Sequence, residues 1–156
     1  MILVGQYDSP VTRRVAVALH HYGMPFTRDT RSIFGDAQAV SKISPLTRIP
    51  ALVLDDGEVL IDSAAILDYL DEQAPDAALI PGSGSARRLA TPYACGPTLT
   101  HADVMITTLI WYMQDRMDEV LSHTTHADLI SLAERCEDLP AFRAAALSDF
   151  EKMPRS

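Results

Sequence analysis

Two ends of one predicted hairpin carry residues that can hold a peptide. The stretch from Thr47 to Ser63 predicts two short strands joined by a turn at residues 55–57. Pro50 precedes the first strand, where an X-Pro bond adopts the cis form at small cost and makes a sharp turn. Asp62 and Ser63 follow the second strand and open a helix, whose free N–H groups can hold a carboxylate. The pattern predicts a small peptide-binding cradle.

This cradle needs an α/β framework, and the apolar pattern of residues 1 to about 75 predicts one in the order β-α-β-α-β-β-α. The first two strands should be parallel because a helix joins them, and the last two should form the hairpin. The result is a four-stranded mixed sheet. Its expected helices run from Val11 to Tyr22, from Asp36 to Ile43 and from Ser63 to about Gln73.

The second half of the chain predicts helices only. We divide the chain into an α/β domain at 1–78, a linker at 79–88 and a shortened helical domain at 89–156. Thr100 is the expected N-cap of an apolar central helix, with Asp103 at the capping-box position. Further helices are expected at 126–139 and from Pro140 to Lys152.

Composition excludes several classes of function. The net charge of −8 argues against nucleic acid or an anionic membrane as a partner. No apolar run is long enough to span a bilayer, and the N-terminal residues do not resemble a signal peptide. Cys95 and Cys136 form no CxxC pattern, and none of the five histidines has metal-site spacing. We therefore expect a reduced, cytoplasmic protein without a metal.

Three blocks of sequence carry a family resemblance: residues 9–15, 44–50 and 61–70. In this order and spacing they resemble the cytosolic glutathione S-transferases of the bacterial type. The resemblance implies a thioredoxin-like domain over residues 1–78 and glutathione as a substrate. It also implies an enzyme of detoxification that conjugates the glutathione thiolate to a small hydrophobic electrophile, with no metal.

The resemblance also implies roles for single residues. Ser63, at a helix start, would bind the γ-glutamyl carboxylate with its hydroxyl and N–H, and Asp62 would accept from the amine. The backbone of Ile49, before Pro50, would pair with the cysteinyl part as an added strand. The glycine carboxylate would meet Lys42 or Arg48, with Gln38 as a further candidate.

A hydroxyl must stabilise the glutathione thiolate, and two candidates stand near the first helix. Ser9 precedes Pro10, at the place of the first cysteine in a thioredoxin-type CPxC motif, with Thr12 at the place of the second. Tyr7 is the alternative, because other family members use a tyrosine near the end of the first strand. We expect Ser9 to be the catalytic residue.

Several of these residues also have simpler explanations. Ser9 can be only a helix cap before a proline, and Asp62 with Ser63 can be only a capping pair. Arg13 and Arg14 are expected on a solvated helix face or in an ion pair with an acid. The other sequence blocks favour more than a capping role for Ser9, and the coincidence of Asp62 and Ser63 with the Pro50 hairpin favours binding.

One departure from the family pattern leaves two functions open. Members usually carry two long helices before the central helix, and here only residues 86–99 lie in that place. Those helices usually form much of the subunit interface and one wall of the electrophile site. The alternative is therefore a glutathione-binding or protein-interaction module with little or no catalysis. A homodimer, if formed, would use a non-standard interface.

Overall fold

A computed structural model describes residues 1–79, 98–117, 120–148 and 151 of the chain. The N-terminal half contains strands β1 (Ile2–Val4), β2 (Thr27–Asp29), β3 (Ala51–Val53) and β4 (Val59–Ile61) with helices α1 (Pro10–His21), α2 (Ala37–Val40) and α3 (Ser63–Gln73). A 3-10 turn at Pro75–Ala77 follows. The second half contains helices α4 (His101–Arg116), α5 (Ala127–Glu137) and α6 (Pro140–Ala144). This order confirms the α/β unit followed by helices.

The four strands form one mixed sheet in the order β2-β1-β3-β4. β1 runs parallel to β2 and antiparallel to β3, and β3 and β4 are an antiparallel hairpin. The parallel pair is the one joined through a helix, as such a connection requires. The predicted topology is therefore confirmed.

Helix α1 is the centre of the core, because its apolar side chains meet both halves of the molecule. It packs against α3 in the first half and against α4 and α6 in the second. Val15 and Leu19 of α1 are fully buried, as are Leu3 of β1 and Leu52 of β3. The helices of the second half therefore pack on the same element that carries Ser9 at its start.

The central helix begins as its sequence predicts. Asp103 accepts hydrogen bonds from the Thr100 N–H at 2.8 Å and from the Thr100 hydroxyl at 2.7 Å. Both residues are buried, so the Asp103 carboxylate accepts from two Thr100 donors that water cannot reach.

Two helices are shorter than predicted. α2 covers only Ala37–Val40 and continues as hydrogen-bonded turns, in which Ile43 and Ser44 donate to the Val40 carbonyl. α6 ends at Ala144 rather than continuing to Lys152. The carbonyl of Ala145 accepts instead from Nε of Arg13 at 2.9 Å, so a side chain from α1 occupies an acceptor that a longer helix would use. Most of the predicted linker, and Cys95, lie outside the described residues, so the domain boundaries stay a prediction.

Candidate functional site

The bend at Pro50 and the start of α3 line one cavity of about 290 Å³. The Ile49-Pro50 peptide bond is cis, as predicted. Ile49 and Pro50 meet Asp62 and Ser63 across this cavity. The paired register of β3 begins at Ala51, which leaves the backbone of Ile49 outside the sheet ladder. With Arg48, which lines the same cavity, five of the predicted site residues are thus brought together.

The backbone at the α3 start has an unusual conformation. Asp62 has a φ of +77° and a ψ of 125°, a conformation that residues other than glycine rarely adopt. Its carboxylate caps the helix by accepting from the Ala64 N–H at 2.8 Å. Ser63 is the first residue of α3 and lines the cavity. The positive end of the helix dipole therefore points at this cavity, which favours an anionic group there.

A second cavity, of about 430 Å³, adjoins the first, and the two share Val11, Arg48 and Ile49 as lining residues. The β1–α1 loop provides Gln6, Asp8 and Ser9 to its wall, and α4 provides Tyr112. Ile33 and Phe34, from the segment before α2, complete an apolar side. Burial raises the pKa of the Asp8 carboxyl, which Arg116, 3.8 Å away, partly opposes.

Ser9 is the N-cap of α1 and also a wall residue of the larger cavity. Its hydroxyl oxygen accepts from the Thr12 N–H at 3.4 Å. Within the described part of the chain no acceptor faces the Ser9 O–H, so its proton is available to a ligand. Capping uses an oxygen lone pair and donation uses the proton, so the two roles suggested by the sequence are compatible.

Tyr7 lies in the core rather than at either cavity. It is 1% exposed, and its hydroxyl has no hydrogen-bond partner among the residues that the structure describes. The guanidinium carbon of Arg28 lies 3.5 Å from the centre of its ring. Burial raises the pKa of the Tyr7 hydroxyl to about 12, although Arg28 acts in the opposite direction. The alternative in which Tyr7 provides the activating hydroxyl therefore has no geometric support.

The two basic candidates have different positions. Arg48 lines both cavities, at the boundary between them. Its backbone N–H donates to the Ser44 hydroxyl at 3.3 Å. Lys42 is exposed in the turn after α2 and lines neither cavity. The structure thus brings Arg48 to the candidate site and does not bring Lys42 there.

Gly5 lies where helix α1 and the Pro50 bend approach each other closely. It has a φ of +130°, which L side chains rarely adopt. A Cβ atom at this position would lie 2.8 Å from Oγ1 of Thr12 and 3.1 Å from Cβ of Ile49. The close approach of three chain segments here requires glycine.

Tyr112, the α4 residue on the wall of the larger cavity, was not among the predicted site residues. Tyr112 lies off the apolar stripe of the helix, and an aromatic residue with a polar tip in that position is a signal that could have indicated it.

Arg13 follows the second of its two predicted alternatives, because it lies in an ion pair and not on a solvated face. Its side chain is 2% exposed, and its two terminal nitrogens donate to the Glu137 carboxylate at 2.7 and 2.6 Å. Trp111 lies 5.5 Å from its guanidinium. The ion-pair alternative is the one the structure supports. Arg14 is half-buried and donates to the sulfur of Met105 at 3.4 Å.

No metal centre and no membrane span emerge within the described ranges. No three His, Cys, Asp or Glu side chains there come together as metal ligands. None of the helices described is both long and apolar enough to cross a bilayer.

The sheet, the cis-proline bend and the helix start facing it define a thioredoxin-like domain with a peptide-sized cleft. Residues 3–78 match the glutathione S-transferase N-terminal domain family. Residues 3–78 are therefore a glutathione S-transferase N-terminal domain.

Two curated relatives each match about half of the chain. A GST-like protein of Escherichia coli K12, YibF, is 31% identical over 81 residues, which cover 52% of this chain and 40% of that protein. A maleylacetoacetate isomerase of Pseudomonas aeruginosa is 35% identical over 85 residues, or 51% of this chain and 40% of that protein. The chain thus spans about two fifths of the length of these relatives.

Solved structures share the fold over nearly the whole chain. A glutathione S-transferase of Methylobacterium radiotolerans, in complex with glutathione sulfonate, has a TM-score of 0.86 at 21% identity, covering 99% of this chain and 98% of that one. A bacterial zeta-class glutathione S-transferase, maleyl pyruvate isomerase, has a TM-score of 0.81 at 19% identity, with coverages of 94% and 96%. At these identities the likeness establishes the fold.

Proposed function

We propose that this chain binds glutathione and transfers its thiolate to a small hydrophobic electrophile. One observation carries the proposal: the cavity between Pro50 and the α3 start adjoins a larger apolar cavity, with Ser9 on its wall. A peptide held in the first cavity can therefore present a thiol to the second. Relatives named glutathione S-transferase or maleylacetoacetate isomerase, and neighbours with a glutathione ligand, support the same assignment.

In this proposal the peptide is held by both ends of the hairpin. The γ-glutamyl carboxylate lies at the Ser63 hydroxyl and the free N–H groups of the α3 start, and its amine meets the Asp62 carboxylate. The cysteinyl backbone pairs with Ile49, which lies outside the ladder. Arg48 binds the glycine carboxylate, because it lines the boundary between the cavities and Lys42 does not.

Ser9 then stabilises the thiolate. A free thiol has a pKa near 8.5, and lowering it by about two units requires about 2.7 kcal/mol of extra stabilisation of the anion. One hydrogen bond to a charged group supplies about 1.5–3 kcal/mol. The Ser9 O–H has its proton available for such a bond, and the α1 N-terminus adds a favourable dipole.

The electrophile occupies the larger cavity beside this thiolate. Val11, Ile33 and Phe34 form an apolar surface there, and Tyr112 faces them from α4. The sulfur lone pair forms the new bond to the electrophilic carbon, and a leaving group departs or a double bond accepts the electrons. Holding both reactants together supplies much of the acceleration.

Calorimetry with glutathione, followed by turnover of an aryl-halide electrophile, tests the proposal. We expect saturable binding with one site per chain and conjugate formation that follows enzyme concentration. No heat of binding at millimolar glutathione would contradict the assignment. We further propose a cytoplasmic location, because the free Cys136 thiol is compatible with a reducing compartment.

A non-catalytic module is the second candidate function. Phe34 and Leu46, which flank the cavities, are 79% and 69% exposed, so this face presents apolar side chains to another molecule. Glutathione binding without conjugate formation would favour the module. A homodimer through such a face is part of this alternative, and the mass in solution by light scattering tests it.

A further inference from the structure

A buried carboxylate that the sequence analysis did not consider holds the loop before α1. Glu151 is 1% exposed, and its Oε1 accepts from the backbone N–H of Tyr7 at 2.8 Å. Its Oε2 accepts from the N–H and hydroxyl of Ser148 at 3.2 and 2.8 Å. Arg28 forms an ion pair with the same carboxylate. Four donors therefore converge on one side chain.

The loop that Glu151 holds is the one that carries Ser9. Between β1 and α1, the Gly5 N–H donates to the Asp29 carbonyl at 2.8 Å and the Ser9 N–H donates to the Gln6 carbonyl at 3.3 Å. The Tyr7 N–H lies between these two, and Glu151 is its partner. Gln6, Asp8 and Ser9, on either side of Tyr7, all line the larger cavity.

Arg28 extends this contact to the Tyr7 side chain. Its guanidinium lies over the Tyr7 ring while it pairs with Glu151, so the backbone and the ring of one residue are held by the same ion pair. Arg28 belongs to β2, whose register with β1 is fixed by the sheet. The position of Tyr7 is thus set by the sheet on one side and by residue 151 on the other.

The electrostatics keep this carboxylate in its acceptor form. Burial acts to raise the pKa of Glu151, but the hydrogen bonds from Tyr7 and Ser148, with Arg28, outweigh it and hold the pKa below the usual range. The negative charge of Glu151 also contributes to raising the pKa of the Asp8 carboxyl. At neutral pH Glu151 is therefore an ionised acceptor for the loop.

We infer that Glu151 is a positioning residue of the glutathione site: through the Tyr7 backbone it holds the Ser9 hydroxyl where the thiolate forms. This inference rests on the proposed function. It assigns a role in the chemistry to a residue 142 positions after Ser9 in the chain. Glu151 does not line either cavity, so it acts only through the loop.

Two variants and one control test the inference. Glu151→Ala removes the acceptor, and Glu151→Gln keeps an oxygen for Tyr7 but loses the charge that pairs with Arg28. Asp138→Asn is the control, because Asp138 pairs with Arg143 at an exposed site. The readouts are kcat and KM for glutathione, the pKa of the bound thiol from thiolate absorbance against pH, and hydrogen exchange of the Tyr7 amide.

We expect kcat to fall about tenfold or more in Glu151→Ala, since small misplacements of a reacting group have such effects. KM for glutathione should change less than about threefold, because the peptide-binding residues are untouched. The thiol pKa should rise toward 8.5, a change that a loss of stability alone would not cause. Glu151→Gln should give a smaller change in the same direction, and Asp138→Asn none.

Unchanged kcat and thiol pKa in a folded Glu151→Ala protein would overturn the inference. If Glu151→Ala does not fold, Glu151→Gln takes its place. Unchanged kcat, thiol pKa and Tyr7 amide exchange in Glu151→Gln would then overturn the inference. A wild-type protein that binds no glutathione would overturn the proposed function and, with it, the positioning role of Glu151 in that site. Tyr7 exchange, measured without glutathione, would still decide whether Glu151 holds the loop.

Discussion

The guanidinium of Arg13 and the carboxylate of Glu137 form a two-point ion pair, with N–O distances of 2.7 and 2.6 Å. The pair joins α1 to α5 across 124 positions of sequence. Arg13 also donates to the Ala145 carbonyl beyond α6. One buried side chain on the helix that begins at Ser9 thus connects the α/β half to two helices of the second half.

Removing the charge of Glu137 should destabilise the protein, because Arg13 would remain buried without a counter-charge. For Glu137→Gln we expect the free energy of unfolding to fall by about 3 kcal/mol, the low end for a broken buried pair. Glu137 is one third exposed, which supports the low end. Urea denaturation measures it. Asp138→Asn, next in the chain, breaks an exposed pair and should cost less than about 1 kcal/mol. Equal losses in both variants would contradict the role of burial.

Replacement of the two candidate hydroxyls should have opposite outcomes. Ser9→Ala removes the donor to the thiolate, and we expect kcat/KM to fall at least about tenfold, since a hydrogen bond to a charged group contributes about 1.5–3 kcal/mol. Tyr7→Phe removes a buried hydroxyl without a partner in the described chain, so activity should stay within about twofold. Steady-state kinetics with an aryl halide compares them. A larger loss in Tyr7→Phe would reverse the assignment.

Tyr112 should affect the electrophile and not glutathione. It lines the larger cavity but not the one between Pro50 and α3. For Tyr112→Ala we expect KM for an apolar electrophile to rise about tenfold, as expected for about 1.5–3 kcal/mol from a lost large apolar contact. The glutathione Kd from calorimetry should change less than about twofold. Gln114→Ala, on the same helix outside the larger cavity, is the matched control. If the glutathione Kd of Tyr112→Ala changes as much as KM for the electrophile, Tyr112 does not act on the electrophile alone.

Stability should fall as the solution is acidified through the histidine range. Burial lowers the pKa of His101, although Asp71, 3.1 Å from Nε2, acts against this. The folded state therefore binds this proton more weakly than the unfolded chain, in which histidine titrates near 6.5. The His101 contribution is complete above about pH 7 and declines as pH falls through 6.5.

Urea midpoints at pH 7.5 and 5.5 measure this dependence. His101→Gln keeps a donor toward Asp71 and removes the titration, so the loss of stability between the two pH values should be smaller than in the wild type. Burial also lowers the pKa of His20, so part of the dependence should persist. His123→Asn, a substitution at an exposed site, is the control variant. If His101→Gln loses as much stability between the two pH values as the wild type does, His101 is not the source of the pH dependence.

Local signals predicted the parts of this molecule that local chemistry determines. The helix from Ser63 to Gln73, the Thr100–Asp103 cap and the cis bond at Pro50 each depend on a few neighbouring residues. The cradle at Pro50, Asp62 and Ser63 followed from the proline before one strand of the hairpin and the capping pair after the other. Its assembly into one cavity agrees with that prediction.

Partners that are distant in the chain could not be found in this way. Arg13 was expected on a solvated face as one possibility, because nothing near it in sequence identifies Glu137 as its partner. Glu151 was missed for the same reason, although Ser148 three positions before it forms the S-x-x-E pattern of a capping box. Tyr112 was missed because apolar periodicity indicates the core side of α4 and not the side that reaches the cavity.

The glycine at position 5 has a consequence for how this site can be redesigned. A methyl group there would contact both Thr12 and Ile49 at distances that real side chains do not reach without movement. A larger residue at position 5 would therefore force the Thr12 side chain and Ile49 to shift, and Ile49 lines both cavities. Engineers who want new electrophiles should vary Ile33, Phe34 and Tyr112, and keep this glycine constant.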